Sequence, residues 1–236
     1  RTGPSAITAQ DNIDLLRIIY SELGVLLDLD YFDQAISRDP EDVVAIYFRG
    51  MAHLTLGNYA DAVRDIKSSR FSHSSKRGLK INEVLASEGY ANLKAGQLQA
   101  SRGNLSLALL HEPDNALYSA YLGEYQRTVE ELDQAIDLFE KAILLDPTLG
   151  LAYLGKAKTL ILMGSNVSAM DALIASAGLT LPIVHDYVDR AELYISFREY
   201  ELALSDLNRA IQINPDRPEY YELKADAHTG LNDPAS

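Results

Sequence analysis

The residues of this chain that could do chemistry are five histidines, acid pairs such as Glu130/Glu131, two Asn-x-Ser triplets and fourteen tyrosines. Zinc hydrolysis would need two histidines one helical turn apart with an acid between them, and no His-Glu-x-x-His occurs. Phosphate chemistry would need a glycine-rich loop, yet neither Gly-x-Gly-x-x-Gly nor a phosphate-loop sequence is present. The Gly-x-Ser-x-Gly of a serine nucleophile is missing too. Cysteine is absent, which removes thiol catalysis, disulfides and cysteine–zinc sites and leaves the compartment open. The triplets at Asn104 and Asn166 match the glycosylation sequon, but Asn104 is expected inside a helix, where the match carries little weight. The expectation is no catalytic constellation, no metal and no cofactor, and so not an enzyme.

Composition narrows the remaining classes. A chain of 236 residues that is 47% hydrophobic can bury a substantial core. Thirty-four acidic residues against twenty-one basic ones give a net charge of −13, which repels a phosphate backbone, so no nucleic-acid partner is expected. No apolar run approaches the length of a membrane span, so no transmembrane segment is expected in this chain. The first residue is Arg1 rather than Met, which suggests a fragment or a processed form.

The elements that must carry these side chains are set by a repeat. Pro113 and Pro147 stand 34 residues apart, and Pro215 lies 68 beyond Pro147. Self-similarity at such a period marks a helical array. Frames then begin near Ala9, Val43, Asn82, Ala116, Gly150, Val184 and Pro218, with one insertion between the second and third. Small residues recur at the eighth position (Gly50, Gly89, Gly123, Ala157, Ala191), the twentieth (Ala62, Ser101, Ala135, Ala169, Ala203) and the twenty-seventh (Ser69, Ala108, Ala142, Ser176, Ala210). Large apolar residues recur at the twenty-fourth: Ile66, Leu105, Phe139, Leu173 and Leu207. Each frame reads as two helices joined by a short turn, as in "LGNY" at 56–59 and "KAGQL" at 94–98, and stopped by Asp-Pro or its variant. One such hairpin cannot bury its apolar stripe alone, so neighbours must stack.

Departures from the pattern mark irregular places. Leu16 and Asp28 stand where small residues are expected, as in a capping repeat. The second frame lacks its proline and runs into "RFSHSSKRGLK" at 70–80, while the fifth has its proline one place late, at Pro182. The helix over 218–229 is expected to cap the array, with residues 231–236 as a tail. His53 and His228 share one column and are expected to be partly buried packing groups. Tyr59, Tyr153, Tyr187, Tyr200 and Tyr221 are expected in the core.

The stretches "ALYSAYLGEYQRTVEELDQAIDLFEKAILLDP" (116–147) and "VHDYVDRAELYISFREYELALSDLNRAIQINP" (184–215) resemble the tetratricopeptide repeat. The likeness extends from residue 9 to about 230 and implies an all-α, right-handed superhelix of stacked antiparallel hairpins, read as one array over 1–230. It also implies a concave groove lined by first-helix residues. On this chain those are Tyr47, Met51, Tyr90, Leu117 and Tyr121 in an apolar centre, then Arg127 and Lys158, then Asp189 and Glu192 at an acidic C-terminal end. The expected function is a scaffold or adaptor that binds a protein or peptide with apolar anchors and a basic end. The alternatives are self-association, or a regulatory or sensor module of a larger enzyme or membrane-anchored protein. The family's two-carboxylate clamp is not expected, because no Asn joins Arg17, Lys94, Arg127 and Lys158 at the required places.

Overall fold

The computed structural model describes residues 29–71 and 79–232, so Ala9, Leu16, Arg17, Asp28, most of the insertion at 70–80 and the end of the tail lie outside it. Among the described residues there are twelve α-helices. In chain order they are α1 (Leu29–Arg38), α2 (Val43–Thr55), α3 (Tyr59–Phe71), α4 (Ile81–Lys94), α5 (Leu98–His111) and α6 (Ala116–Thr128). There follow α7 (Leu132–Leu145), α8 (Gly150–Leu162), α9 (Asn166–Ala175), α10 (Val184–Ser196), α11 (Tyr200–Ile213) and α12 (Pro218–Leu231).

Each hairpin closes through the same local device. The fifteenth position of the repeat has positive φ in all five described turns: Gly57 at 83°, Gly96 at 75°, Glu130 at 63°, Gly164 at 76° and Arg198 at 65°. The next residue's N–H then reaches back across the helix end, from Asn58 to His53 O and from Glu131 to Gln126 O, at 2.8 and 2.9 Å. That left-handed step followed by a long backbone bond is the C-terminal closure glycine favours. Entry to the helices is less uniform. Asp42 caps α2 by accepting from Val44 N and Ala45 N, and Asn115 caps α6 by accepting from Tyr118 N.

Within a hairpin the crossing is made at the small residues. A Cβ added to Gly50 would lie 2.7 Å from Ile66, one on Gly89 2.8 Å from Leu105, and one on Gly123 2.8 Å from Phe139. Each pair joins the eighth position to the twenty-fourth of the same repeat, and Ile66, Leu105, Phe139, Leu173 and Leu207 are fully buried. A larger residue at the eighth position would push the helices apart. Between hairpins, α3, α5, α7 and α11 each pack on the next first helix, and α2, α4, α6 and α8 also touch one another in sequence. First helices therefore form the inner layer of the stack.

The fifth hairpin breaks the regularity. Its second helix, α9, has 10 residues where α5, α7 and α11 have 14. A corner over 176–183 replaces the missing turn and packs back on α8, so that a Cβ on Gly150 would lie 2.6 Å from Thr180 O. Two expectations are corrected at the last hairpin. Tyr221 is 48% exposed, and His228 is exposed as well, because no further hairpin among the described residues covers the outer side of α12. Tyr59, Tyr153 and Tyr200 are half-buried and Tyr187 is buried.

Candidate protein-binding groove

The inner layer places Tyr47 on α2, Tyr90 on α4 and Tyr121 on α6, and all three are buried rather than open. Tyr47 packs edge-on against Phe48 at 5.2 Å between ring centroids, and its hydroxyl lies 2.9 Å from Ser87 Oγ on the next first helix. Tyr90 and Tyr121 stack at 4.0 Å with their planes 8° apart, closer than the roughly 4.5–7 Å usual for aromatic pairs. What covers Tyr90 comes from far along the chain. Its hydroxyl donates to Asp186 Oδ2 at 3.3 Å, and Lys94 Nζ donates to Asp186 Oδ1 at 3.1 Å. Thr55 Oγ1 stands 3.4 Å from Pro182 O. Ile183 is buried in the hydrophobic cluster that runs from Phe32 to Ala152 and includes Tyr90 and Tyr121 as well as Leu151 and Ala152 of α8.

The corner that delivers these groups is braced from behind. The guanidinium of Arg190, 1% exposed, grips Asp206 on α11 through Nε and Nη2 at 2.6 and 2.7 Å. It also donates to the carbonyls of Ser176 and Leu179 at 2.5 and 3.1 Å. Leu181 N donates to the Tyr187 hydroxyl at 3.0 Å. Burial opposes both charges and pushes the Asp206 pKa up, while Asp206 lifts that of Arg190; the short two-point contact through Nε and Nη2 is that of an ion pair. Arg49 and Asp65 repeat this grip at the same two columns of the second hairpin, with Arg49 Nε 2.6 Å from Asp65 Oδ2.

Around the stacked tyrosines the groove is charged. Lys94, Arg127 and Lys158 come from three successive first helices, and Glu124, Asp186 and Asp189 face them. Lys158 pairs with Asp189, which His185 Nε2 also approaches at 3.3 Å. Arg127 Nη2 donates to Glu124 Oε2 at 2.8 Å, but Glu124 Oε1 and Arg127 Nε are buried without a hydrogen-bond partner. Burial alone would raise the Glu124 pKa, yet Arg127, Lys158 and Lys94 together hold it below the ordinary value. Burial likewise opposes the Lys94 charge, and Asp186 and Glu124 overcome it and lift the Lys94 pKa above its usual range. The Tyr90 hydroxyl is pushed well above its ordinary value by burial, with Asp186 and Glu124 adding to it, so it stays a donor.

Of the expected groove residues, then, Met51, Leu117, Arg127, Lys158 and Asp189 are partly buried and Glu192 is exposed. Farther along, Glu219, Glu222 and Asp226 are exposed on α12, at spacings that put them on one helical face. Asp186, Ile183 and Thr55 were not among the expected contacts. The late Pro182 and the shortened α9 were the only signs of the corner that brings them in. Among the described residues no cluster of His, Asp or Glu is arranged to hold a metal ion, and no helix is long and apolar enough to cross a membrane.

The family models for the tetratricopeptide repeat match residues 29–67 and 187–217, one in each half of this stack of hairpins. The chain carries tetratricopeptide repeats. Solved tetratricopeptide structures share the fold over most of its length. One from Parabacteroides merdae aligns over 95% of this chain and 86% of its own with a TM-score of 0.64 at 16% identity. The Thermus thermophilus protein TTC0263 aligns over 78% of this chain and 97% of its own, with a TM-score of 0.59 at 19% identity. By sequence the array is 22% identical over 221 residues to DnaJ homolog subfamily C member 3 of Gallus gallus, covering 85% of this chain and 42% of that protein. The chain thus spans less than half the length of that relative. An all-α right-handed superhelix of tetratricopeptide hairpins supports a protein–protein interaction scaffold in general, and repeats of this kind are typically non-enzymatic.

Proposed function

We propose that this tetratricopeptide array is a non-enzymatic adaptor whose inner face takes a partner segment with apolar anchors and a basic end. The observation that carries this reading is the acidic face at the C-terminal end: Glu192 on α10 with Glu219, Glu222 and Asp226 on α12, all exposed on first helices. A run of carboxylates on one concave wall attracts a basic segment and disfavours an acidic one. Met51 and Leu117, both partly exposed on the inner layer, supply apolar contact toward the other end, and the thioether of Met51 adapts to different shapes. Asp189 and Lys158 lie between the two regions.

The test is a panel of labelled peptides that share an apolar half and differ in whether the other half is basic or acidic. Fluorescence polarisation should show tighter binding of the basic series, weakening as salt rises. The Glu219→Lys/Glu222→Lys variant should lose about tenfold or more, the size expected when close charge pairs are reversed. Equal binding of both series, or indifference to the charge reversal, would sink this reading.

A further inference from the structure

A stacked array holds each repeat against its neighbours and nothing else. Here the start of α10 reaches the third hairpin across two intervening ones, and Pro182 just before it reaches the second, through contacts that join residues 92, 96 and 127 positions apart. Stacking does not require those contacts, so they are additional to the fold. They also have the composition of a bound peptide. Ile183 supplies the apolar anchor, buried in the cluster to which Tyr90 and Tyr121 also belong. Three residues on, Asp186 meets Lys94 and the Tyr90 hydroxyl, and three further on Asp189 meets Lys158.

We propose that the segment from Pro182 to Asp189 is an intramolecular ligand of the groove, and that an outside segment reaches the stacked tyrosines only by taking its place. This goes beyond the adaptor reading above, which places a basic segment at the acidic end on α10 and α12; the occupant here is acidic and sits at the basic centre formed by Lys94, Arg127 and Lys158. Two properties favour exchange over a permanent joint. The first is that the contact is ionic as well as apolar. Burying a salt bridge often gains no more than packing apolar groups would, and both partners regain water on release. The second is that the internal ligand satisfies the site incompletely. Glu124 Oε1 and Arg127 Nε, on the helix that carries Tyr121, are buried and still without a hydrogen-bond partner. With Asp186 and Asp189 withdrawn, Glu124 alone of these three acids would remain beside Lys94, Arg127 and Lys158. A competing segment therefore has the chemistry of the one it replaces: a helical turn with an aliphatic residue, then carboxylates three and six places on.

The probe is the chain's own peptide "TLPIVHDYVD", residues 180–189, labelled and titrated into wild type and into an Ile183→Ala/Asp186→Ala variant. Because a tethered segment competes at millimolar effective concentration, the peptide should bind the variant at least tenfold more tightly than wild type. A control peptide with both positions changed to Ala should bind neither. If the double variant fails to fold by circular dichroism, Asp186→Asn is read in the same way. The chain has no cysteine, so Lys94→Cys/Asp186→Cys places a unique thiol pair across the contact. A short bismaleimide should join that pair within one molecule at high dilution. Failure to cross-link would overturn the proposal. So would a peptide that binds both proteins alike, or cross-linking without any peptide binding, which would leave a fixed clamp. No outside partner enters this experiment, so its failure is distinct from failure of the acidic-end reading.

Discussion

At the fifteenth position of each repeat the backbone needs a left-handed residue, and three of the five described turns supply glycine there. Glu130 and Arg198 occupy the other two at φ of 63° and 65°, a region where a Cβ costs about 1–2 kcal/mol. Glycine also frees the unfolded chain, which offsets part of the gain. Glu130→Gly and Arg198→Gly should therefore each raise stability by about 0.5–1 kcal/mol, read as a higher urea midpoint. Gly155→Ala should do the reverse. Its new Cβ would lie 2.3 Å from Phe139 and 2.7 Å from Glu124 Oε1, and overpacking of this kind costs about 1–3 kcal/mol. Titration gives a further residue-level outcome. Glu124 is held below its ordinary 4.5, so its contribution is complete at neutral pH and is lost as pH falls below that value through its folded pKa. Thermal midpoints of wild type and Glu124→Gln should differ at pH 7 and converge in acid. The eighth and twenty-fourth columns were legible from sequence because size alone dictates a helix crossing. Tyr90 was legible as an inner residue but not as a buried one, since its cover, Asp186, lies 96 positions away and obeys no repeat spacing.

At the level of elements, hairpin stacking followed from the period and from the apolar faces. The corner after α9 did not, because one late proline says that a helix ends early and nothing about where the chain then goes. Arg190 answers that question by tying the carbonyls of Ser176 and Leu179 to α11 through Asp206. Asp206→Ala would leave a guanidinium buried and unpaired, a change that typically costs about 3–5 kcal/mol. The expected result is a lower denaturation midpoint together with faster amide exchange over 176–183. Asp65→Ala, at the matching column of the second hairpin, should destabilise by less, since Arg49 is more exposed than Arg190 and keeps Asp33 at 2.7 Å.

On the scale of the whole molecule, the contact between α10 and α4 turns an open stack into a closed one. In a chain held by neighbours alone, a change at Ile183 would be felt in α9, α10 and α11 and fade with distance. Here Ile183→Ala should also speed amide exchange in α4, since Ile183 is part of the cluster that α4 helps to build. Exchange in α7, which the contact bypasses, should change less, and hydrogen exchange with mass spectrometry reads both. The direct contact has a consequence for how such a protein can vary. Open arrays lengthen or shorten by whole hairpins at little cost. In this one, a hairpin of 34 residues inserted or removed between Leu98 and Ile183 would carry Asp186 a full repeat away from Lys94. The register of that single ion pair fixes the number of repeats between its ends, as the length of a clasp fixes the number of links it can close upon.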